Sequence, residues 1–164
     1  MDRSGKSEQL QIRVSRREKS AIANAAARAG MDMSAYVLQR VLPAPAAQFR
    51  ELAAACSGPA PRYALAELNS LLAGFTAGEL REAVTVPLPP GLSPFFLNYV
   101  TAMVEEACAK RGIPVPPWTR AVAPLAEPVF GSALQSLRLY LLTRSPPPFR
   151  RRNIFIDASV GDRV

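Results

Sequence analysis

The chain has 164 residues, with 20 Lys and Arg against 13 Asp and Glu, a net charge of +7 and no histidine. Without histidine the commonest general base and metal ligand are missing, and Cys56 and Cys108 lie too far apart for a metal-ligand pair. No stretch approaches the roughly 20 apolar residues of a membrane span, so catalysis, a resident cofactor and membrane insertion are not expected.

Proline and charge divide the sequence. None of the 16 prolines precedes Pro43, and Pro43-Ala44-Pro45 both stops a helix and stiffens the chain beyond it. Residues 1–43 hold eight Lys/Arg and four Asp/Glu, residues 44–137 six and seven, and residues 138–164 six and two. Positive charge therefore sits at the two ends. Two domains are expected, 1–43 and 44–164. The start, Met1-Asp2-Arg3-Ser4-Gly5-Lys6, lacks the apolar core of a signal peptide, so a cytoplasmic location is expected, with both cysteines reduced and buried.

Glu8 to Val14 alternates, with Leu10, Ile12 and Val14 on one face and Gln9, Gln11 and Arg13 on the other, the pattern of one short strand. Ser15-Arg16-Arg17-Glu18 is a capping box opening an alanine-rich helix that ends at Gly30, with Ile22, Ala25, Ala26 and Ala29 as its buried stripe. Asp32 caps a second helix, Met33 to Leu42, expected to bury Val37 and Val41 until Pro43 stops it. One strand and two short helices make too little core to fold alone. Pairing of the strand with its copy in a second chain solves this, with Leu10, Ile12, Val14, Ile22, Val37 and Val41 as dimer core. The pairing leaves Gln9, Gln11 and Arg13 as a polar row on a two-stranded ribbon, an element that fits the DNA major groove, where Gln pairs with adenine and Arg with guanine. Arg3, Lys6, Arg16, Arg17 and Lys19 surround the row as phosphate contacts. The other reading makes residues 8–14 an edge of a larger sheet within the chain.

This segment resembles the ribbon-helix-helix (MetJ/Arc/CopG-type) family, through Leu10-Gln11-Ile12-Arg13-Val14-Ser15, Arg16-Arg17-Glu18, Ala26-Ala27-Arg28-Ala29-Gly30-Met31 and Ser34-Ala35-Tyr36-Val37. The resemblance implies an obligate dimer bound to double-stranded DNA, with backbone amides at Met33 and Ser34 on a phosphate. Asp32 departs from the Ser or Thr often found there: it caps well but repels phosphate.

The rest is expected to be a small all-α domain with Pro-rich connectors, the chain as a whole being mainly α. Helices are predicted over Ala46–Cys56, about Arg62 to Ala73, from the Thr76-Ala77-Gly78-Glu79 capping box through Val84, and from Ser93-Pro94 to Gly112. A connector holding Trp118 comes next, then a helix marked by Leu134, Leu137, Leu141 and Leu142, and a short strand within 153–157. Glu105 and Glu106 read as a solvated helix face. Trp118 either plugs the core or anchors an interface. Phe149-Arg150-Arg151-Arg152 with Phe155 is a solvated run, a site for an acidic protein or a site for nucleic acid; three adjacent arginines cannot all be buried.

This region also looks like the helical parts of bacterial antitoxins encoded beside nucleotidyltransferase-like toxins, through Pro116-Pro117-Trp118-Thr119, Leu137-Arg138 and Phe149 to Ile156. That resemblance implies a type II antitoxin that represses its own operon and masks a toxin through Trp118, Phe149, Arg150, Arg151, Arg152 and Phe155. The alternative is a stand-alone regulator whose second domain senses a ligand or holds an oligomer together.

Overall fold

In the computed structural model, residue 9, residues 11–41 and residues 44–157 are described; Lys6 and Leu10, assigned above to DNA and to the dimer core, lie outside them, as do Arg3 and Leu42. The chain divides into two units, Met1–Pro43 and Ala44–Val164, and is mainly helical.

The first unit contains α1 (Arg16–Arg28) and α2 (Met33–Val41). The Ser15 hydroxyl accepts from the Glu18 amide at 3.3 Å while the Glu18 carboxylate accepts from the Ser15 amide at 2.7 Å, so α1 starts where the capping box predicts. It ends in a Schellman turn: the Gly30 amide donates to Ala27 and the Met31 amide to Ala26, with Gly30 at φ +66°. A side chain at that φ would be strained, hence glycine. The Asp32 carboxylate accepts from the Ala35 amide at 2.9 Å and caps α2. Residues 11–15 carry no ladder hydrogen bonds in the single chain, and the expected strand is absent there. A strand exists only where a neighbour supplies the other half of its hydrogen bonds.

In the second unit, several prolines begin helices. α3 (Pro45–Ala55), α4 (Pro61–Gly74), α6 (Pro94–Lys110) and α8 (Pro147–Arg150) each begin on one, as does the 3₁₀ turn Pro117–Ala121. A helix's first amide has no partner to lose, and proline's φ suits that position. α5 (Ala77–Ala83) starts on the Thr76–Glu79 capping box. α7 (Arg138–Arg144) comes after a 3₁₀ turn at Gln135–Leu137. The domain is not all-α: β1 (Val129–Phe130) pairs in parallel with β2 (Ile154–Phe155).

The core gathers around α6, which buries Asn98, Val100 to Glu105, Ala107 and Cys108 and so has almost no solvent face. Phe49 of α3 and Cys56 at its C-terminal cap, Leu68 and Leu72 of α4, and Leu80 of α5 pack into the same cluster. Both cysteines are free and buried, and desolvation raises both thiol pKa values.

Glu105 is not a solvated residue. Its carboxylate meets the Arg152 guanidinium at 2.6 Å, with both side chains nearly excluded from water. The same guanidinium donates to Asn98 Oδ1 and the Val122 carbonyl at 3.2 Å and to the Thr119 carbonyl at 3.0 Å. Asn153, at φ +58°, then turns the chain into β2 and donates to the Leu125 carbonyl. One arginine thus fastens the C-terminal segment and the 119–123 connector to α6.

Removing one member of this pair strands a charge in the core. Arg152→Met is expected to destabilise the second unit by about 3–5 kcal/mol in urea unfolding, and Glu105→Leu combined with it to recover most of the loss. The capping boxes predict an acid response. Hydrogen bonds from Thr76 hold the Glu79 carboxyl below its ordinary value of 4.5, and those from Ser15 do the same for Glu18. The folded state therefore binds these protons less tightly than the unfolded one. Each cap contributes in full above pH 4.5 and loses its contribution as the pH falls through the lowered folded value. Glu79→Gln retains an acceptor but cannot titrate, so the thermal midpoint of the wild type should exceed the variant's at neutral pH and converge with it in acid.

Candidate nucleic-acid interface

Among the described residues of the first unit only Ala26 is buried. Ile22 and Val37 are half-buried, while Ile12 and Val14 are 61% and 45% exposed. Val41, expected inside, is 67% exposed, and Ala29 is exposed too. α1 and α2 pack on each other, and two helices alone do not enclose the flanks of their packing. What remains is an open groove of about 640 Å³ lined by Ile12, Val14, Ile22, Met33 and Val37, with Arg13 and Lys19 beside them. Five apolar side chains facing an open groove are a surface for burial against something else.

Gln9, Gln11, Arg13, Arg16 and Arg17 are exposed. Arg13 shares the groove with Ile12 and Val14 in the single chain and does not lie wholly opposite them. Strand alternation requires a paired ladder to enforce it, and residues 11–15 have none in the single chain. At the start of α2, Met33 and Ser34 are exposed, but the first turn already holds the Asp32 carboxylate. A phosphate at these amides would meet that negative charge. Arg40 lies over the Tyr36 ring at 5.4 Å.

The candidates in the second unit fare unevenly. Trp118 is half-buried against the core and donates its indole N–H to the Val84 carbonyl at 2.8 Å, as a core plug does. Phe149 is buried edge-to-face on Tyr99, with ring centroids 5.2 Å apart, and Arg152 is committed to Glu105. Neither is available to a partner, because the core needs an aromatic and Glu105 needs a cation. Phe155 is half-buried and stacked on Phe130 at 5.1 Å. Arg150 and Arg151 are exposed, Arg151 lying 3.6 Å from Glu105. The predicted helix around Leu134 to Leu142 also differs: of the five leucines in that stretch only Leu141 is buried. No local pattern signals the Glu105–Arg152 pair, which spans residues 47 apart. Among the described residues no group of acidic or cysteine side chains could hold a metal ion, and no helix is long and apolar enough to cross a membrane.

Residues 5–55 match the model of the NikA-like family, described as mobilization protein NikA. The match takes in most of the first unit and ends with the last residue of α3, covering under a third of the 164 residues. No curated protein and no solved structure matches the chain.

Proposed function

We propose that the chain is a dimeric ribbon-helix-helix protein that binds a specific site on duplex DNA in the service of DNA mobilization. The observation that carries this reading is the open apolar groove beneath Ile12 and Val14, in a unit with a single buried residue among those described. A second copy of residues 8–14 supplies both the missing ladder and the missing core. The paired strands then offer Gln9, Gln11 and Arg13 to base edges, with Lys6, Arg16 and Arg17 on phosphates. Met33 and Ser34 are the weaker part of the interface, since Asp32 opposes a phosphate there.

The similarity of residues 5–55 to a mobilization protein family supports a role at a DNA transfer site over that of an operon repressor. Of the six residues through which the antitoxin reading reaches a toxin, Phe149 and Arg152 are buried, Trp118 and Phe155 half-buried, and Arg150 and Arg151 exposed. Footprinting across the replicon that carries the gene separates the two roles. Protection within the DNA required in cis for transfer supports mobilization; protection of the chain's own promoter alone supports a repressor.

Three substitutions test the interface. Ile12→Lys places a charge in the shared core and is expected to yield monomers in sedimentation and to abolish DNA binding; a wild type that binds as a monomer would overturn the proposal. Arg13→Ala is expected to lose about 1–3 kcal/mol at the cognate site and to relax base preference. Arg16→Ala is expected to weaken all sequences alike and to reduce the salt slope by about 1 for each phosphate it no longer neutralises. Identical gel-shift profiles for the last two would refute this division of roles.

A further inference from the structure

The proposed DNA interface leaves one apolar surface unexplained. α7 buries only Leu141, while Leu139 is 74%, Tyr140 47% and Leu142 42% exposed, and Leu137, just before the helix, is 40% exposed. At about 100° per residue, Leu139 points nearly opposite Leu141, with Leu142 and Tyr140 on either side of it. Arg138 and Arg144 then fall at the two margins of the apolar face, and both are exposed. Arg138 is held at its margin by the Phe130 ring, 5.1 Å away. A seven-residue helix has little stability of its own in water, and one buried leucine is a slender anchor.

Charge selects the occupant. From Pro128 to Ile156 there is no carboxylate, against five arginines, of which Arg152 is neutralised by Glu105. A second copy docked face to face would set Arg138 and Arg144 against their own counterparts. DNA would take the arginines but leave the leucines wet. We propose that α7 is a docking site for an amphipathic helix of another protein, one that lays apolar side chains on Leu139 and Leu142 and sets carboxylates against Arg138 and Arg144. Burial of the leucines supplies affinity, and the flanking arginines supply orientation and partner choice.

The test uses the full chain and labelled peptide helices, read by fluorescence anisotropy. One peptide carries leucines flanked by glutamates; its control carries the same leucines flanked by lysines. The Leu/Glu peptide is expected to bind in a salt-sensitive manner and the Leu/Lys peptide not to bind. Leu139→Ser with Leu142→Ser, and separately Arg144→Glu, should each weaken binding about tenfold or more. These positions are exposed, so thermal midpoints and DNA gel shifts of the variants should match wild type, and the result stands apart from the DNA reading. Equal binding of both peptides, or binding indifferent to the substitutions, overturns the proposal. So does flotation of the chain with phosphatidylglycerol vesicles that is lost in the double variant, which assigns the face to a lipid surface. A change in oligomeric mass in that variant assigns it to self-association and likewise overturns it.

Discussion

A carboxylate and a guanidinium enclosed together beneath α6 govern the shape of the C-terminal half. Each ion would be intolerable there alone, and together they remain expensive unless every remaining polar atom is satisfied. Arg152 comes close: it reaches Glu105, Asn98 and two connector carbonyls, and only its Nε lacks a partner among the described residues. Because those partners come from segments far apart in sequence, the pair acts as a clasp. It sets where β2 begins, and β2 sets where β1 lies. The Ser145 hydroxyl, at the end of α7, lies within hydrogen-bonding distance of the Leu141 and Ile156 carbonyls, so α7 is referenced to the residue that follows β2. The exposed leucines of α7 are downstream of a single ionic contact.

The first unit is organised by a shortage. Two short helices joined at Gly30 cannot enclose their own apolar side chains, whatever their local propensities. The local signals are strong, with a reciprocal cap at Ser15 and Glu18, a complete Schellman turn and a second cap at Asp32. They define the helices but provide no interior. Local order without a core is the condition in which association and folding become one process. The two units thus differ: one fills its centre with an ion pair and a helix buried on nearly all sides, while the other, among its described residues, buries Ala26 alone.

Much of this is legible in the residues, and the reasons are local. Ser15, Thr76 and Ser93 cap the helices that their spacing predicts, because a cap is settled within four residues. Gly30 and Gly112 mark helix ends for the same reason. The short strand near Ile154 is visible as the apolar run Ile154 to Ile156, but its mate at Val129–Phe130 is not, since two apolar residues between Pro128 and Gly131 carry no pattern. Readings that depend on distant neighbours fail. Glu105 reads as half of a solvated Glu-Glu pair, yet Arg152 lies 2.6 Å away. The arginine run can be read as having at least one exposed member but not as having its third member inside. The leucines near 134–142 have a helical spacing that normally marks a buried face, and nothing in the spacing reveals that a seven-residue helix rests on the domain through one of them. For the candidate interface, the alternation predicts a polar row opposite Ile12 and Val14, but Arg13 shares their groove in the single chain; the groove is a matter of what the two helices fail to cover.

The cysteines give the chain an asymmetry of another kind. Cys56 and Cys108 both lie inside the second unit, sealed from solvent, and burial keeps their thiols protonated well into the alkaline range; residues 1–43 contain none. A thiolate-seeking reagent therefore meets a silent protein until the helices around α6 part. The two thiols are chemical clocks for the opening of the second unit.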